Sequence, residues 1–504
     1  MRLIALVLPL VAIVARGQDT WTYLLDSVGF NGFVTDIVVD PEGATVSSLY
    51  QDSLLVWNRS GDLVRLSSLG VAVSKRSLGG EGYVLLPTNI IPGTDGALHT
   101  VGPFRRTTEA SVGFFHYRSL SNGIVLDSSL YQIPGYNLTG LENAVLTNSG
   151  NIFLGGSGRI QGLPAFTYST LLQIGQNGDS LNYLELGSSN AFAFRITRGI
   201  AVNQTGTVVA MEKPNSNDVD YRIFDDNLGF LDGWSGQEPH ADPNPLVFPD
   251  SLLGGALTIR PLNNGDYIVG GQIENFDYDR RSAVYRINDT GAVNKMFSPS
   301  TPYPNDYCAQ SSTLSNIDDN TFYFASWRNF ALTGPKPPYT PFEPDQIAVY
   351  KLDNDLNVLC EYVLDGFADN AYYVPYRIKT APDGGFVLLG GRKDMSDPNS
   401  KFAAWAQKFA PGDCTVGVRE NTLAEQVQAF PNPGRDGFSL LLNGTVTDGT
   451  LELFDATGKL QSTTAMRQSR AHVDAQGLAT GLYLYRVLDA KGVLRGTGKW
   501  QKVD

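Results

Sequence analysis

The sequence predicts an all-β chain, a seven-bladed β-propeller followed by a small C-terminal β-sandwich domain. A turn phrase recurs seven times between residues 37 and 384 at steps of about 55 residues, the mark of a repeat architecture. Gly accounts for 53 of 504 residues and charged residues for only 18%, a balance that favours strands joined by tight turns over helices. From residue 428 onward the long repeat gives way to short alternating strands, which marks a second domain.

The chain opens on Met1-Arg2, an apolar run from Leu3 to Val14 and then Ala15-Arg16-Gly17. This is the pattern of a cleavable signal peptide over residues 1–17. The run is too short to span a membrane, no Cys follows the expected cut to carry a lipid anchor, and no later segment is apolar enough to be transmembrane. The strand Trp21-Thr-Tyr-Leu-Leu25 precedes the first repeat. It is expected to complete the last blade and close the ring, which removes exposed sheet edges.

Each repeat reads as an apolar run, Asp/Asn-x-Gly or a close variant, and a second apolar run. The turn residues are Gly43, Gly96, Gly150, Gly206, Gly265, Asn320 and Gly384. A second strand follows, as in Tyr267-Ile-Val-Gly-Gly271. After a variable loop comes another hairpin, as in 171–181 and 283–293, with counterparts expected around Gly61, Gly123, Gly229, Asp355 and Gly412. Two hairpins make four strands, which is one blade, so seven blades are expected over residues 18–416. A blade buries both faces against its neighbours, which explains the nearly continuous apolar strands. A parallel β-helix is the rival fold, but its repeats are usually shorter. Tyr285-Arg-Ile-Asn-Asp-Thr-Gly291 and Phe386-Val-Leu-Leu-Gly-Gly-Arg392 are similar to the delta-sixty class of bacterial propeller repeats; the first, second and sixth copies are degenerate.

A linker over 417–427 leads to the second domain, residues 428–504. Pro431 and Pro433 lack ladder donors and fix an extended approach, Gly437 permits a turn, and Phe438, Leu440 and Leu442 alternate as one strand. Leu451, Leu453 and Leu460 flank a turn at 456–458, and Tyr483, Tyr485 and Val487 continue the period of two after Gly481. Four blocks in this order, Phe430 to Leu440, Leu451 to Leu460, Gly477 to Val487 and Gly498 to Asp504, resemble the type A C-terminal sorting domain of the type IX secretion system of Bacteroidetes-type bacteria. The resemblance implies export across both membranes to the medium or the cell surface. The implied partners are the secretion machinery and a sortase-like peptidase cutting in the linker, with attachment to surface lipopolysaccharide as one outcome. It also marks Pro431, Asn432, Pro433, Gly437, Gly458, Gly481, Tyr483 and Lys502 as sorting features with no catalytic role. The family commonly finishes on a basic residue, whereas Lys502 is followed here by Val503 and Asp504.

Formal charge is −13; residues 428–504 hold nine basic and seven acidic residues, leaving 29 against 44 in the remainder. An acidic body argues against nucleic acid, which needs clustered Lys/Arg. The three cysteines allow one disulfide in an oxidising space, and Cys308 with Cys360 is the expected pair because both fall in one repeat. His99, His116, His240 and His472 occur singly in sequence and read as packing or surface residues. Asp225-Asp226, Asp318-Asp319 and Asp353 to Asp355 fall in hairpin turns, where Asp bonds its own backbone. No metal site, cofactor, nucleophile elbow or phosphate loop is read.

The long joins between strands and blades carry aromatic residues among prolines. Trp234, Tyr303, Tyr307, Trp327, Arg328, Phe330, Tyr339 and Phe342 are the expected ligand-binding residues, because proline-stiffened loops preset aromatic rings for stacking on sugars or apolar polymers. The expected function is a secreted or cell-surface, non-enzymatic binding protein for a partner, glycan or polymer, acting as a monomer. The alternative is a secreted polysaccharide hydrolase or lyase with its site on the loop face, and a third reading is a purely structural adhesin.

Overall fold

The computed structural model describes residues 20–25, 30–51, 61–80, 82–106, 112–133, 135–160, 167–179, 181–188, 196–203, 205–213, 219–236, 258–274, 280–288, 293–299, 307–309, 311–328, 345–397, 399–413, 427–442, 448–455, 459–467, 470–489 and 494–503. The expected signal peptide and all of the linker except Val427 lie outside them. The chain divides into two compact units, Met1–Thr415 and Val416–Asp504. Among the described residues helix is confined to one short α-helix, Gly366–Asp369, and a 3-10 turn, Pro411–Asp413.

The first unit contains seven antiparallel sheets. Their first strands are Asn31–Asp40, Asn89–Pro92, Tyr136–Leu146, Ile196–Val202, Thr258–Pro261, Leu314–Asn316 and Ala371–Thr380. Each first strand neighbours the next, and the seventh returns to the first, so the sheets form a closed ring around an axis. The ring closes as the sequence predicts. Trp21–Leu25 pairs antiparallel with Ala403–Phe409, from Trp21 opposite Lys408 to Leu25 opposite Ala404. The Thr20 hydroxyl and the Ala410 amide both donate to Asp413 Oδ2, at 3.0 and 2.8 Å, and so tie the two ends of the unit together.

The repeated turn joins the first and second strands of every blade. At Gly96, Gly150, Gly206, Gly265 and Gly384 φ lies between 80° and 90°, where a side chain would clash with its own backbone. Each of these glycines donates its amide to the carbonyl three residues back. Second hairpins turn at Gly123, Gly178, beside Gly229 and at Asp355. Gly61 does not fit that role. It precedes the third strand of blade 1, and the hairpin turns instead at Gly70, which has φ 76°. Gly412 lies in the 3-10 turn because the fourth strand of blade 7 comes from the N-terminus.

Each of the seven blade interfaces has its own buried apolar cluster. Trp327, Tyr373, Phe386 and Trp405 belong to the one between blades 6 and 7. Phe153, Leu171, Ile200 and Phe224 join blades 3 and 4, and Leu63, Ile90, Phe104 and Phe115 join blades 1 and 2. Removing one such side chain from water contributes about 1.5–3 kcal/mol. Buried hydroxyl pairs add direction to this packing: Ser169 with Thr197 at 2.5 Å, Ser282 with Ser326 at 2.6 Å.

Cys360 is disulfide-bonded, but not to Cys308, which corrects the expected pair. Cys308 lies on a first-position strand of blade 6 and Cys360 on the fourth, with two strands between them. Three strand spacings span roughly 14 Å, whereas bonded cysteines have Cα atoms about 4.4–6.8 Å apart.

The second unit is one seven-stranded sheet folded over on itself. Its order is Val427–Phe430, Gly437–Leu442, Arg470–Asp474, Leu460–Arg467, Asp448–Asp455, Gly481–Asp489 and Leu494–Lys502. The third and fourth strands in that order share a single pairing, Arg467 with Arg470, where the sheet bends. Phe438, Leu440, Leu451, Leu453, Tyr483, Tyr485, Val487 and Trp500 form the core, in the predicted alternation. Leu460, expected to be half-buried, is 48% exposed.

Candidate functional site

The first strands line the axis, so side chains pointing inward from them form a surface to which successive blades contribute. In Arg377-Ile378-Lys379 the alternation of a strand sends Ile378 into the core between blades 6 and 7 and turns Arg377 and Lys379 the other way. Arg377 reaches across the ring. Its guanidinium donates to Asp36 Oδ2 of blade 1 at 2.8 Å, Asn89 Oδ1 of blade 2 at 3.0 Å and Ser311 Oγ of blade 6 at 2.6 Å. All four residues are buried.

Asp36 is held from four directions. Its carboxylate accepts from the amides of Ile37 and Ile90 at 2.9 and 2.8 Å, from Arg377, and from the Lys379 ammonium at 3.3 Å. Four donors match the acceptor capacity of a carboxylate, so this acid is a structural anchor for two cations.

Beside this cluster is a cavity of about 440 Å³, lined by first strands and flanking residues of blades 3 to 7. Arg260, Arg377 and Lys379 are its charged lining residues, among Asn143, Thr258, Ser312, Ser315 and Thr380. Arg260 donates to Asn354 Oδ1 at 2.6 Å and to the Asp318 carbonyl at 2.7 Å, and stacks over Phe322. Lys379 retains a 35% exposed side chain at the cavity wall. Burial draws its ammonium below the usual lysine value, Asp36 opposes that shift and Arg377 adds to it.

The residues expected to bind ligand are placed otherwise. Trp327 is 3% exposed, and its indole N–H donates to Asp345 within the core. Arg328 is buried too, bonded to the Tyr350 hydroxyl and to Glu361 at 2.5 Å. Both belong to the packing of blade 6, so a ring exposed for stacking is corrected to a core side chain at Trp327. Phe330, Tyr339, Phe342 and Tyr303 lie outside the described residues; Trp234 and Tyr307 are on described strands, but their side chains are not described. Asp345 itself has a carboxyl pushed well up by burial, against its bonds from Tyr373 N and Trp327.

A second buried polar group, unforeseen from single histidines, sits in blade 2. His99 and His116 lie diagonally across adjacent strands, with Nδ1 of one 2.9 Å from Nε2 of the other and rings stacked at 5.1 Å. Both are fully buried. Burial lowers both, taking His116 to about 4 with the neighbouring His99 adding to the shift. His472 is bonded to Ser439 in the second unit, and His240 lies outside the described residues. The paired acids behave as turn residues: Asp225 accepts from the amides of Asn227 and Gly229, Asp318 from Asn320 and Thr321, and Asp353 from Asp355 and Asn357.

In the second unit Pro431 and Asn432, two of the residues expected to serve sorting, bond to the last strand, and Lys502 lies on it. Asn432 donates to the Lys499 carbonyl at 2.8 Å and accepts from the Gln501 amide at 3.0 Å, while the Trp500 indole donates to the Pro431 carbonyl at 2.9 Å. The Lys502 ammonium is buried against the carbonyls of Ala475 and Leu478, at 2.7 and 2.5 Å. Tyr483 is in the core and its hydroxyl donates to the Ala479 carbonyl. Gly458 lies outside the described residues.

Residues 428–497 match the family described as the secretion system C-terminal sorting domain. No curated protein matches the chain. Solved structures similar to it include a protein of unknown function from Bacteroides caccae, 13% identical over 69% of this chain and 98% of that one, with a TM-score of 0.36. Another, from Dyadobacter fermentans, is 11% identical over 66% and 96%, TM-score 0.41. A PL25 ulvan lyase is 10% identical over 76% and 90%, TM-score 0.38. The type IX sorting domain indicates export, an extracellular or cell-surface location and engagement with the secretion machinery.

Proposed function

We propose that this chain is a non-catalytic binding protein that is delivered outside the cell by its terminal domain and takes a small ligand in its axial cavity. The observation that carries the reading is the cavity itself, enclosed by first strands and presenting fixed cationic and hydroxyl groups. Its volume falls in the range of small-molecule pockets, roughly 300–1,000 Å³. Against catalysis, the acid described at this site, Asp36, has each oxygen occupied by N–H donors, and general acid–base work needs a carboxyl with a proton to move. A sortase-like peptidase cutting within 417–427 completes the reading, leaving the propeller as the mature product.

The test is calorimetric titration of the full secreted chain with small sugars, sugar acids and polymer fragments, alongside a turnover assay on the same polymers. Saturable binding without turnover is the expected result. Turnover of a polymer would instead support the hydrolase or lyase.

A further inference from the structure

Resting on the reading of the axial cavity as the binding site, we infer that its ligand is an organic oxyanion of sugar-acid size, carrying a carboxylate or sulfate that Lys379 holds. The charge balance is the argument. Among the described lining residues three are cations and none carries a carboxylate, in a chain whose net charge is −13. Among the described residues Asp36 is the acid in contact with this group, and its single charge is shared between Arg377 and Lys379. Among the described residues Arg377, Lys379 and Asp36 therefore sum to one positive charge, and Arg260, whose bonds go to an amide oxygen and a carbonyl, adds a second at the cavity wall.

The three cations are not equivalent. Arg377 is committed to Asp36, Asn89 and Ser311, and Arg260 to Asn354 and Asp318. Lys379 has three N–H donors, and its described polar contact is Asp36 at 3.3 Å. The remaining donors face the cavity from a side chain that is a third exposed. Around them the hydroxyls of Thr258, Ser312 and Thr380 are bonded to Ser312, to the Leu314 carbonyl and to Ser315, and the lone pair each oxygen has left can accept from a polyhydroxylated ring but not from a bare anion. Such a charge in a concave, partly desolvated wall favours an anion more strongly than a lysine on the open surface does.

The experiment titrates the full chain at low salt with glucuronate, glucose 6-sulfate, glucose and inorganic sulfate. Glucuronate or glucose 6-sulfate is expected to bind, whichever is preferred identifying the oxyanion, and glucose to bind at least tenfold more weakly. Lys379→Met should cost tenfold or more for the acid, Lys379→Arg should retain most of the affinity, and added salt should weaken binding. Glucose binding as well as the acids, or acids binding Lys379→Met undiminished, overturns the charge inference and leaves the cavity reading intact. Inorganic sulfate competing as strongly as the sugar acids overturns the organic part. Thr258→Trp fills the cavity: if acid binding survives it, the cavity reading itself fails. Absence of binding by all four probes overturns the inference.

Discussion

Acidification should destabilise the propeller through the His99–His116 pair, by an amount the structure sets. Both rings are fully buried and held neutral when folded, with His116 lowered to about 4; in the unfolded chain the same ring has the ordinary value of about 6.5. Between those values the unfolded chain binds a proton that the folded chain refuses, so stability falls as pH falls from 6.5 towards 4. Linkage gives a loss of about 2 kcal/mol at pH 5 and about 3 kcal/mol at pH 4 for His116, and His99 shifts in the same direction. Unfolding roughly 400 residues carries about 0.8 kcal/mol per kelvin of entropy, so 2 kcal/mol is worth about 2.5 °C. Asp345 works against this trend: its raised folded value makes its contribution grow as pH falls. The histidine part is therefore isolated by comparison with the double variant His99→Gln/His116→Gln. Differential scanning calorimetry of both proteins at pH 7 and pH 5 should show the wild-type propeller transition dropping about 2 °C further than that of the variant. Equal drops would refute the buried neutral pair.

Other outcomes follow from the same geometry. Arg377→Leu leaves Asp36 buried with only the more distant Lys379 as counter-charge, and should cost about 3–5 kcal/mol, read as a drop of about 4–6 °C in the propeller transition; an unchanged transition would deny that the cluster spans the ring. Peptide mapping without reduction should find Cys360 joined to Cys414, with Cys308 as the free thiol; a Cys308–Cys360 peptide would contradict the strand order of blade 6. Asn432→Ala removes two hydrogen bonds to the last strand of the second unit and should lower that unit's own transition by about 1–3 kcal/mol. Deleting residues 428–504 should retain the chain inside the cell envelope, as judged by blotting medium and cell fractions, and unimpaired release would overturn the sorting role.

The ring was legible because its cause is local. A turn needing positive φ at Gly96 or Gly384 must be glycine at almost any cost, so the same letters recur once per blade. The second unit was legible for the same kind of reason, as Tyr483, Tyr485 and Val487 alternate toward one core. The candidate site was less so, because it is assembled from residues such as Asp36 and Arg377 that lie about 340 positions apart. A faint signal existed: Asp36 interrupts the apolar run of its strand, and Arg377 and Lys379 alternate around Ile378, placing charges where a buried strand normally carries none. Trp327 misled for the opposite reason. Its neighbours are loop-like in composition, but the residue is the penultimate position of Thr321–Arg328, and strand geometry places it in the core. Glycines mark a chemical necessity of the backbone, whereas an aromatic residue serves equally well in a core or on a surface.

Closing the last blade with Trp21–Leu25 has a consequence for how this molecule is made. The opening strand leaves the ribosome some 390 residues before Lys408, its partner in the register. Until then the nascent ring has two open sheet edges, a hazard for mispairing between chains, and long-range pairing of this kind is slow. Trimming at the amino end that ran past Trp21 would leave Ala403–Phe409 without its neighbour for good. The integrity of the whole ring thus depends on how accurately its first few residues are preserved.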